Sequence, residues 1–142
     1  MGNWYHEKHI VEFYECDPLS MVHNSKYLIW FERARFQIAE EANIMSIVKE
    51  CMEAGEEIMF PVLEAECKYI LPIPLGSHLN IRTKLEKPKI ARLEFKHIVT
   101  DAITGQVYAK AKTVIGLLSS KRGLLFHMTE EMKKLINDYL RS

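Results

Sequence analysis

The 142-residue sequence has no excess of charge, few cysteines and no long apolar run. Its 19 Lys and Arg residues balance 19 Asp and Glu residues, so we expect neither a nucleic-acid partner nor a membrane partner. The cysteines Cys16, Cys51 and Cys67 are odd in number and lack CxxC spacing. This pattern argues against a disulfide framework or a zinc site and favours a reducing, cytoplasmic location. We recognise no signal peptide and no membrane-spanning segment.

The composition is that of one globular domain, which we predict to span residues 1–142. Hydrophobic residues make up 48% of the chain and charged residues 27%, enough for a core and a solvated surface. His6 and His9 have HxxH spacing on a predicted strand, an arrangement that does not bring two imidazoles to one metal. We therefore predict no metal site.

Helical periodicity is clearest after residue 22. Apolar residues recur at a spacing that places them on one helix face: Tyr27, Phe31, Ala34, Ile38 and Ala42. A short second helix is predicted at 47–54, ending at Gly55, and a last helix after a possible cap at Thr129.

Alternation of apolar and polar residues predicts five strands. They are residues 9–16, 62–69, 79–85, 93–99 and a long strand after the 101–105 turn that runs to Leu118. The last four are joined by short connections, which favour antiparallel pairing. The long helix must bury its apolar face against this sheet, so the predicted fold class is α+β.

Asp17 lies in a short turn between the first predicted strand and the long helix. A helix start offers unpaired N–H groups and the positive end of a dipole, which suit a developing oxyanion. An acid just upstream could act as base or nucleophile on a carbonyl held there. Asp17 could equally be an Asx-turn residue beside Pro18. Glu15 is a second candidate acid, although strand alternation points its side chain away from Asp17.

Several segments together resemble the hotdog-fold acyl-CoA thioesterases, in particular the 4-hydroxybenzoyl-CoA thioesterase and its relatives. They are Glu15-Cys16-Asp17-Pro18, Val22, Asn24, Tyr27, Trp30-Phe31-Glu32-Arg33-Ala34-Arg35 and Phe60-Pro61-Val62. The resemblance covers nearly the whole chain because the order of strands and helices also fits. It implies a hotdog fold, with an antiparallel five-stranded sheet wrapped around one long central helix.

The resemblance also implies a reaction and an assembly. Asp17 would be the catalytic carboxylate, either as general base or as nucleophile, and amides around His23 and Asn24 would polarise the thioester carbonyl. The substrate would be an acyl-CoA or an acyl carrier protein thioester, with no cofactor beyond the coenzyme A of the substrate. The active unit would be a homodimer or homotetramer whose sites use residues of two chains.

The sequence departs from the family beside Asp17. The family usually has Gly at Ser20, often His at Met21, and Asn or Tyr at His23. Glycine permits a positive φ and close approach of the backbone to a ligand, so Ser20 could reshape that approach. His23 could donate a hydrogen bond to the thioester or activate water, or it could be an exposed residue at the helix start. Asn24 could orient water or cap the helix.

Two further groups are candidates for substrate binding. Lys87, Lys89 and Arg92 cluster in a turn and could bind the coenzyme A phosphates, as the same hairpin does in the 4-hydroxybenzoyl-CoA enzyme; a solvated charged hairpin is the alternative. Trp30 and Phe60 could line an acyl pocket or belong to the core.

Arg35, on the flank of the apolar helix face, is expected to be structural and held by a carboxylate. Two other functions stay open. One is a non-catalytic acyl-thioester binding protein, and the other is a hotdog dehydratase, although the His that those relatives use has no counterpart here in a comparable context.

Overall fold

A computed structural model describes residues 4–142 of the chain as an antiparallel sheet packed against helices. In chain order the strands are β1 (Trp4–Ile10), β2 (Ile58–Met59), β3 (Val62–Tyr69), β4 (His78–Leu85), β5 (Arg92–Asp101), β6 (Val107–Gly116), β7 (Leu118–Ser119) and β8 (Gly123–Leu124). The helices are α1 (Asn24–Glu41), α2 (Ile44–Glu53) and α3 (Glu130–Arg141). The main sheet has the order β1-β4-β5-β6-β3, so the predicted five-stranded antiparallel sheet is confirmed. A small sheet of β2, β7 and β8 was not predicted.

The prediction of a strand over residues 9–16 is wrong. The strand β1 ends at Ile10, and Phe13–Glu15 form one turn of 3-10 helix. The side chain of Glu15 accepts a hydrogen bond from the Glu12 amide at 2.9 Å, which stabilises the turn. Alternation of residue types does not reveal such a bond.

The helix α1 buries the predicted apolar face against the sheet. Tyr27, Phe31, Ala34 and Ile38 are all at most 2% exposed. The N-terminal half of α1 shares a cluster with strand residues such as Leu79. The C-terminal half shares a second cluster with α2, α3 and the other end of the sheet. The one helix therefore organises two parts of the core.

The helix ends follow local hydrogen bonding. The Thr129 side chain accepts the Met132 amide at 3.2 Å, so the predicted cap of α3 is confirmed. Between α1 and α2, Asn43 takes a φ of 60°, which breaks the helical path. The helix α2 begins at Ile44, three residues before the predicted start, and Gly55 follows it with a φ of 83°. Within residues 4–142, no helix is long and apolar enough to span a membrane.

Candidate active site

The segment from Cys16 to Val22 forms a tight turn that leads into α1. Cys16 and Val22 form an isolated antiparallel bridge, and the Asp17 amide donates to the Met21 carbonyl at 2.7 Å. The Val22 amide donates to the Ile73 carbonyl at 2.9 Å, which ties the turn to the loop before β4. The backbone that carries Asp17 is thus fixed at both ends.

The carboxylate of Asp17 is half-buried and has one oxygen engaged. Its Oδ1 accepts the amides of Leu19 at 2.9 Å and Met21 at 3.2 Å, which is the Asx-turn geometry anticipated from the sequence. Among residues 4–142, no hydrogen bond engages Oδ2. The turn therefore orients Asp17 while leaving one carboxylate oxygen available for chemistry.

Ser20 has a φ of 63°, in the left-handed region that favours glycine. Its amide donates to the Asp17 carbonyl at 3.0 Å, and its carbonyl accepts the Leu75 amide at 3.0 Å. The chain therefore adopts at Ser20 a backbone conformation natural to the glycine of related sequences, and the surrounding bonds hold a serine in it.

The start of α1 is capped by His23 and not by Asn24. The Nδ1 atom of His23 accepts the Ser25 amide at 3.2 Å and lies 2.8 Å from the Ser25 hydroxyl. The His23 amide itself is bonded to the Glu15 carbonyl at 2.8 Å, and the Lys26 amide to the His23 carbonyl at 3.0 Å. Within the described chain, the Asn24 amide has no acceptor. It is the free N–H at this helix N-terminus.

The side chain of Glu15 is buried and is directed towards β1 and α1. It is 3% exposed, and its carboxylate accepts hydrogen bonds from the Glu12 amide, His9 Nε2 and Trp30 Nε1. Burial alone would raise the pKa of Glu15, but these hydrogen bonds outweigh it and lower the pKa below its usual value. Both of its carboxylate oxygens accept hydrogen bonds from the protein, so Glu15 is a less available base than Asp17.

Trp30 is likewise committed to the core. It is 1% exposed and its indole N–H donates to Glu15 at 2.8 Å, so the expectation that it walls a pocket is corrected. The ring packs between His9 and Tyr27, with centroids 5.1 and 5.2 Å away.

Tyr69 reaches the helix start from β3, a contact that sequence reasoning missed. Its hydroxyl donates to the Asn24 carbonyl at 3.4 Å, and its ring meets Tyr27 edge-on at 4.8 Å. Burial raises the pKa of Tyr27 to about 12, so this ring stays neutral. The alternation in β3 groups Tyr69 with Leu63, Ala65 and Cys67 on one face of the strand, which is the signal available in the sequence.

Phe60 lines a small apolar cavity of about 60 Å³ between α1, α2 and the sheet. Arg35 borders the same cavity, and burial lowers its pKa. The expectation that a carboxylate holds Arg35 is wrong within residues 4–142, where its guanidinium forms no ion pair. The cavity thus combines apolar walls with one cationic edge.

The cationic residues predicted to bind phosphate differ in their contacts. Lys87 and Lys89 are exposed and line a cavity of about 340 Å³ that also includes Lys133 of α3. Arg92 instead donates to the carbonyls of Ala91 at 2.9 Å and Leu125 at 3.0 Å. Arg92 lies at the start of β5 and is not among the residues that line this cavity, and its Nη1 makes both of these bonds. Elsewhere in the described part, no three His, Cys, Asp or Glu side chains gather as a metal site would require.

Comparisons with known proteins agree with the fold. The thioesterase-like superfamily matches residues 11–136, and the chain belongs to that family. A candidate esterase from Aquifex aeolicus is 26% identical over 128 residues, covering 90% of this chain and 94% of the relative.

Solved structures are similar over nearly the whole chain. The probable thioesterase YbaW from Escherichia coli has a TM-score of 0.81 at 21% identity, covering 95% of this chain and 98% of its own. The 1,4-dihydroxy-2-naphthoyl-CoA thioesterase from Synechocystis has a TM-score of 0.80 at 14% identity, covering 96% and 97%. A Staphylococcus aureus protein solved in complex with CoA has a TM-score of 0.83 at 14% identity, covering 99% and 86%. These likenesses establish the hotdog fold.

Proposed function

We propose that this protein hydrolyses acyl-CoA thioesters to the free acid and the thiol. Two observations carry the proposal: the Asp17 carboxylate has one free oxygen, and the amide of Asn24, at the start of the helix that follows the same turn, is unengaged. Family membership supports the same chemistry. An amide at a helix N-terminus stabilises an oxyanion, and a carboxylate beside it can activate water.

In this mechanism the thioester carbonyl oxygen accepts the Asn24 N–H. Asp17 takes a proton from water as the water oxygen bonds to the carbonyl carbon, forming a tetrahedral oxyanion. The oxyanion collapses, the C–S bond breaks, and the thiolate receives the proton from Asp17. Alternatively the Asp17 carboxylate attacks directly, expels the thiolate and forms an anhydride that water then cleaves. A single turnover in ¹⁸O-water that labels Asp17 identifies the anhydride route, because water attacking the Asp17 carbonyl of the anhydride leaves its oxygen there; trapping of the anhydride by hydroxylamine detects attack at the acyl carbonyl.

Coenzyme A binding is proposed for the cavity that includes Lys87 and Lys89. Both residues are exposed and neither forms an ion pair in residues 4–142, and Lys133, which pairs with Glu130 at 3.3 Å, also lines the cavity. Phosphate groups favour such a cluster. The alternative substrate is an acyl thioester carried by an acidic carrier protein. Comparing the hydrolysis of acyl-CoA with that of acyl-pantetheine measures how much the nucleotide of coenzyme A contributes to binding.

A homodimer is proposed because β3 is an open edge of the main sheet. Seven of its eight residues are exposed, including Val62 at 52% and Tyr69 at 47%. Exposed apolar side chains also lie on α1, among them Ile29 at 48% and Phe36 at 60%. A long strand that has one unpaired edge and no proline is a template for another strand. A second copy paired through β3 would lie beside Tyr69 and would contribute residues to the site at the start of α1.

The Asp17→Asn variant tests the proposed function. Asparagine keeps the Oδ1 acceptor of the Asx turn, so the fold and the melting temperature should be retained. Thiol release from a panel of acyl-CoAs should fall roughly a hundredfold or more, since the amide cannot take a proton or attack. Asp138→Asn, an exposed acid on α3, is the matched control and should retain full activity.

Full thioester cleavage by Asp17→Asn would overturn the catalytic assignment. Saturable binding of acyl-CoA by the wild type without thiol release would instead identify a carrier or sensor. A dehydratase is less well supported, because the Nδ1 atom of His23 is occupied in capping α1.

A further inference from the structure

Glu15 lies outside the reacting pair but connects every segment around it. Its Oε1 accepts His9 Nε2 at 2.7 Å and the Glu12 amide at 2.9 Å, and its Oε2 accepts Trp30 Nε1 at 2.8 Å. These donors belong to β1, to the start of the 3-10 turn and to α1. One buried carboxylate thus joins three segments that are separate in sequence.

The backbone of Glu15 holds the other side of the same turn. Its carbonyl accepts the His23 amide at 2.8 Å, and His23 directly precedes Asn24. Asp17 is only two residues further along from Glu15. The Asp17 carboxylate and the Asn24 amide lie near the two ends of this turn. The position of Glu15 therefore affects both groups.

Few other bonds could replace this anchor. The Cys16–Val22 bridge closes the turn on itself but does not fix it to Trp30 or β1. The Val22 amide ties the turn to Ile73, on a different side. Without the Glu15 side chain, the turn would keep its own bonds and its bonds to Ile73 and Leu75 but lose its side-chain contacts with Trp30 of α1 and His9 of β1.

We infer that Glu15 is a positioning residue, which holds the Asp17 carboxylate and the Asn24 amide at the mutual placement that thioester hydrolysis needs. The inference rests on the proposed function and adds a residue to it. Glu15 touches no substrate in this scheme, because all three of its bonds are internal. Its loss should therefore lower kcat more than it raises KM, since small displacements of reacting groups cost rate steeply.

The Glu15→Gln variant tests this inference because it keeps the side-chain volume. The glutamine oxygen can still accept from Glu12 and His9, but its NH₂ group then faces the N–H of Trp30. Two donors in contact repel and displace the turn or the helix. We expect kcat to fall about tenfold or more, with KM changed by less than about twofold.

Trp30→Phe provides a second variant that separates positioning from folding. It removes the opposing N–H, so the Glu15→Gln/Trp30→Phe protein should recover part of the kcat lost by Glu15→Gln alone. Trp30→Phe by itself removes one of the three donors and should lower kcat by a smaller factor. If Glu15→Gln does not fold, the kcat of Trp30→Phe still tests the inference. Glu50→Gln, an exposed acid on α2, controls for the loss of one negative charge.

Amide hydrogen exchange gives a readout that does not depend on activity. In Glu15→Gln the amides of Met21, Val22 and His23 should lose protection, while amides of β5 should not. Retained protection together with unchanged kcat would overturn the inference, as would a change in KM alone. If the wild type cleaves no thioester, the proposed function fails, and the exchange data alone then decide whether Glu15 anchors the turn.

Discussion

Two buried polar clusters that contact α1, one at Trp30 and one at Phe31, use similar hydrogen bonds in different settings. In the first, the Glu15 carboxylate joins β1, the 3-10 turn and α1. In the second, the imidazole of His97 on β5 lies between Thr83 of β4 and Thr113 of β6, with both contacts at 2.9 Å. His97 is 1% exposed and stacks on Phe31 with a centroid distance of 4.2 Å.

The difference lies in what else holds the connected segments. The strands β4, β5 and β6 are already joined by continuous antiparallel pairing, so the His97 cluster adds stability to a rigid frame. The segments around Glu15 have no such ladder between the turn and α1. Similar polar bonds therefore stabilise the fold in one place and orient a candidate active site in the other.

The comparison is tested most strongly by His97→Leu. The substitution leaves the Thr83 and Thr113 hydroxyls without their buried partner, and we expect the free energy of unfolding to fall by about 2 kcal/mol. Urea denaturation measures the loss. Thioester hydrolysis at a temperature where the variant is folded should match the wild type, unlike that of Glu15→Gln. Valine at both threonine positions in the same protein should restore much of the stability, and a large loss of kcat in His97→Leu would erase the distinction between the clusters.

A smaller effect is expected from acidification. Burial, with a lesser contribution from Arg35, lowers the pKa of His97 to about 3. As the pH falls from about 7 to about 5.5, the unfolded chain protonates this His while the folded protein keeps it neutral, so stability decreases by about 1 kcal/mol. His97→Leu should lack this component, and the wild-type and variant unfolding curves should approach each other in acid. The pKa of Glu15 is lowered in the folded protein, so its ionised carboxylate stabilises the fold at neutral pH. This stabilisation is lost only at more acidic pH, as the pH falls through the lowered pKa.

The smallest expected effect is that of Ser20→Gly. Glycine adopts the φ of 63° without steric cost, but it also gains freedom in the unfolded chain. We expect the free energy of unfolding of the variant to exceed that of the wild type by about 0.5 kcal/mol. A small rise in the urea midpoint with unchanged kcat is the expected result, and a fall in the midpoint would show that the serine side chain stabilises the turn.

The regular elements could be predicted because their signals are local. The apolar face from Tyr27 to Ile38 and the alternation in β3, β4 and β5 give the helix and the sheet, and Thr129 marks the start of α3. Asp17 was located because a turn and a helix start are adjacent in sequence. These features depend on residues a few positions apart.

The errors concern bonds between segments distant in the chain. The predicted strand over residues 9–16 includes Glu15, because nothing local reveals that Trp30 and His9 reach its carboxylate. The sequence does not reveal that Arg92 bonds to the Leu125 carbonyl, because the two residues are 33 positions apart. The cap of α1 is His23 and not the adjacent Asn24. Sequence patterns do not locate a helix start to within a single residue.

The open edge of β3 links the behaviour of this protein to its own abundance. Along β3 the outward N–H and C=O groups bond to water in a single chain and to another strand when two chains meet. In the proposed homodimer, mass action would make both stability and the completeness of the site depend on protein concentration. Dilution would favour separate chains with an exposed β3 edge, whereas accumulation would favour paired chains, so specific activity would rise with the amount of protein made.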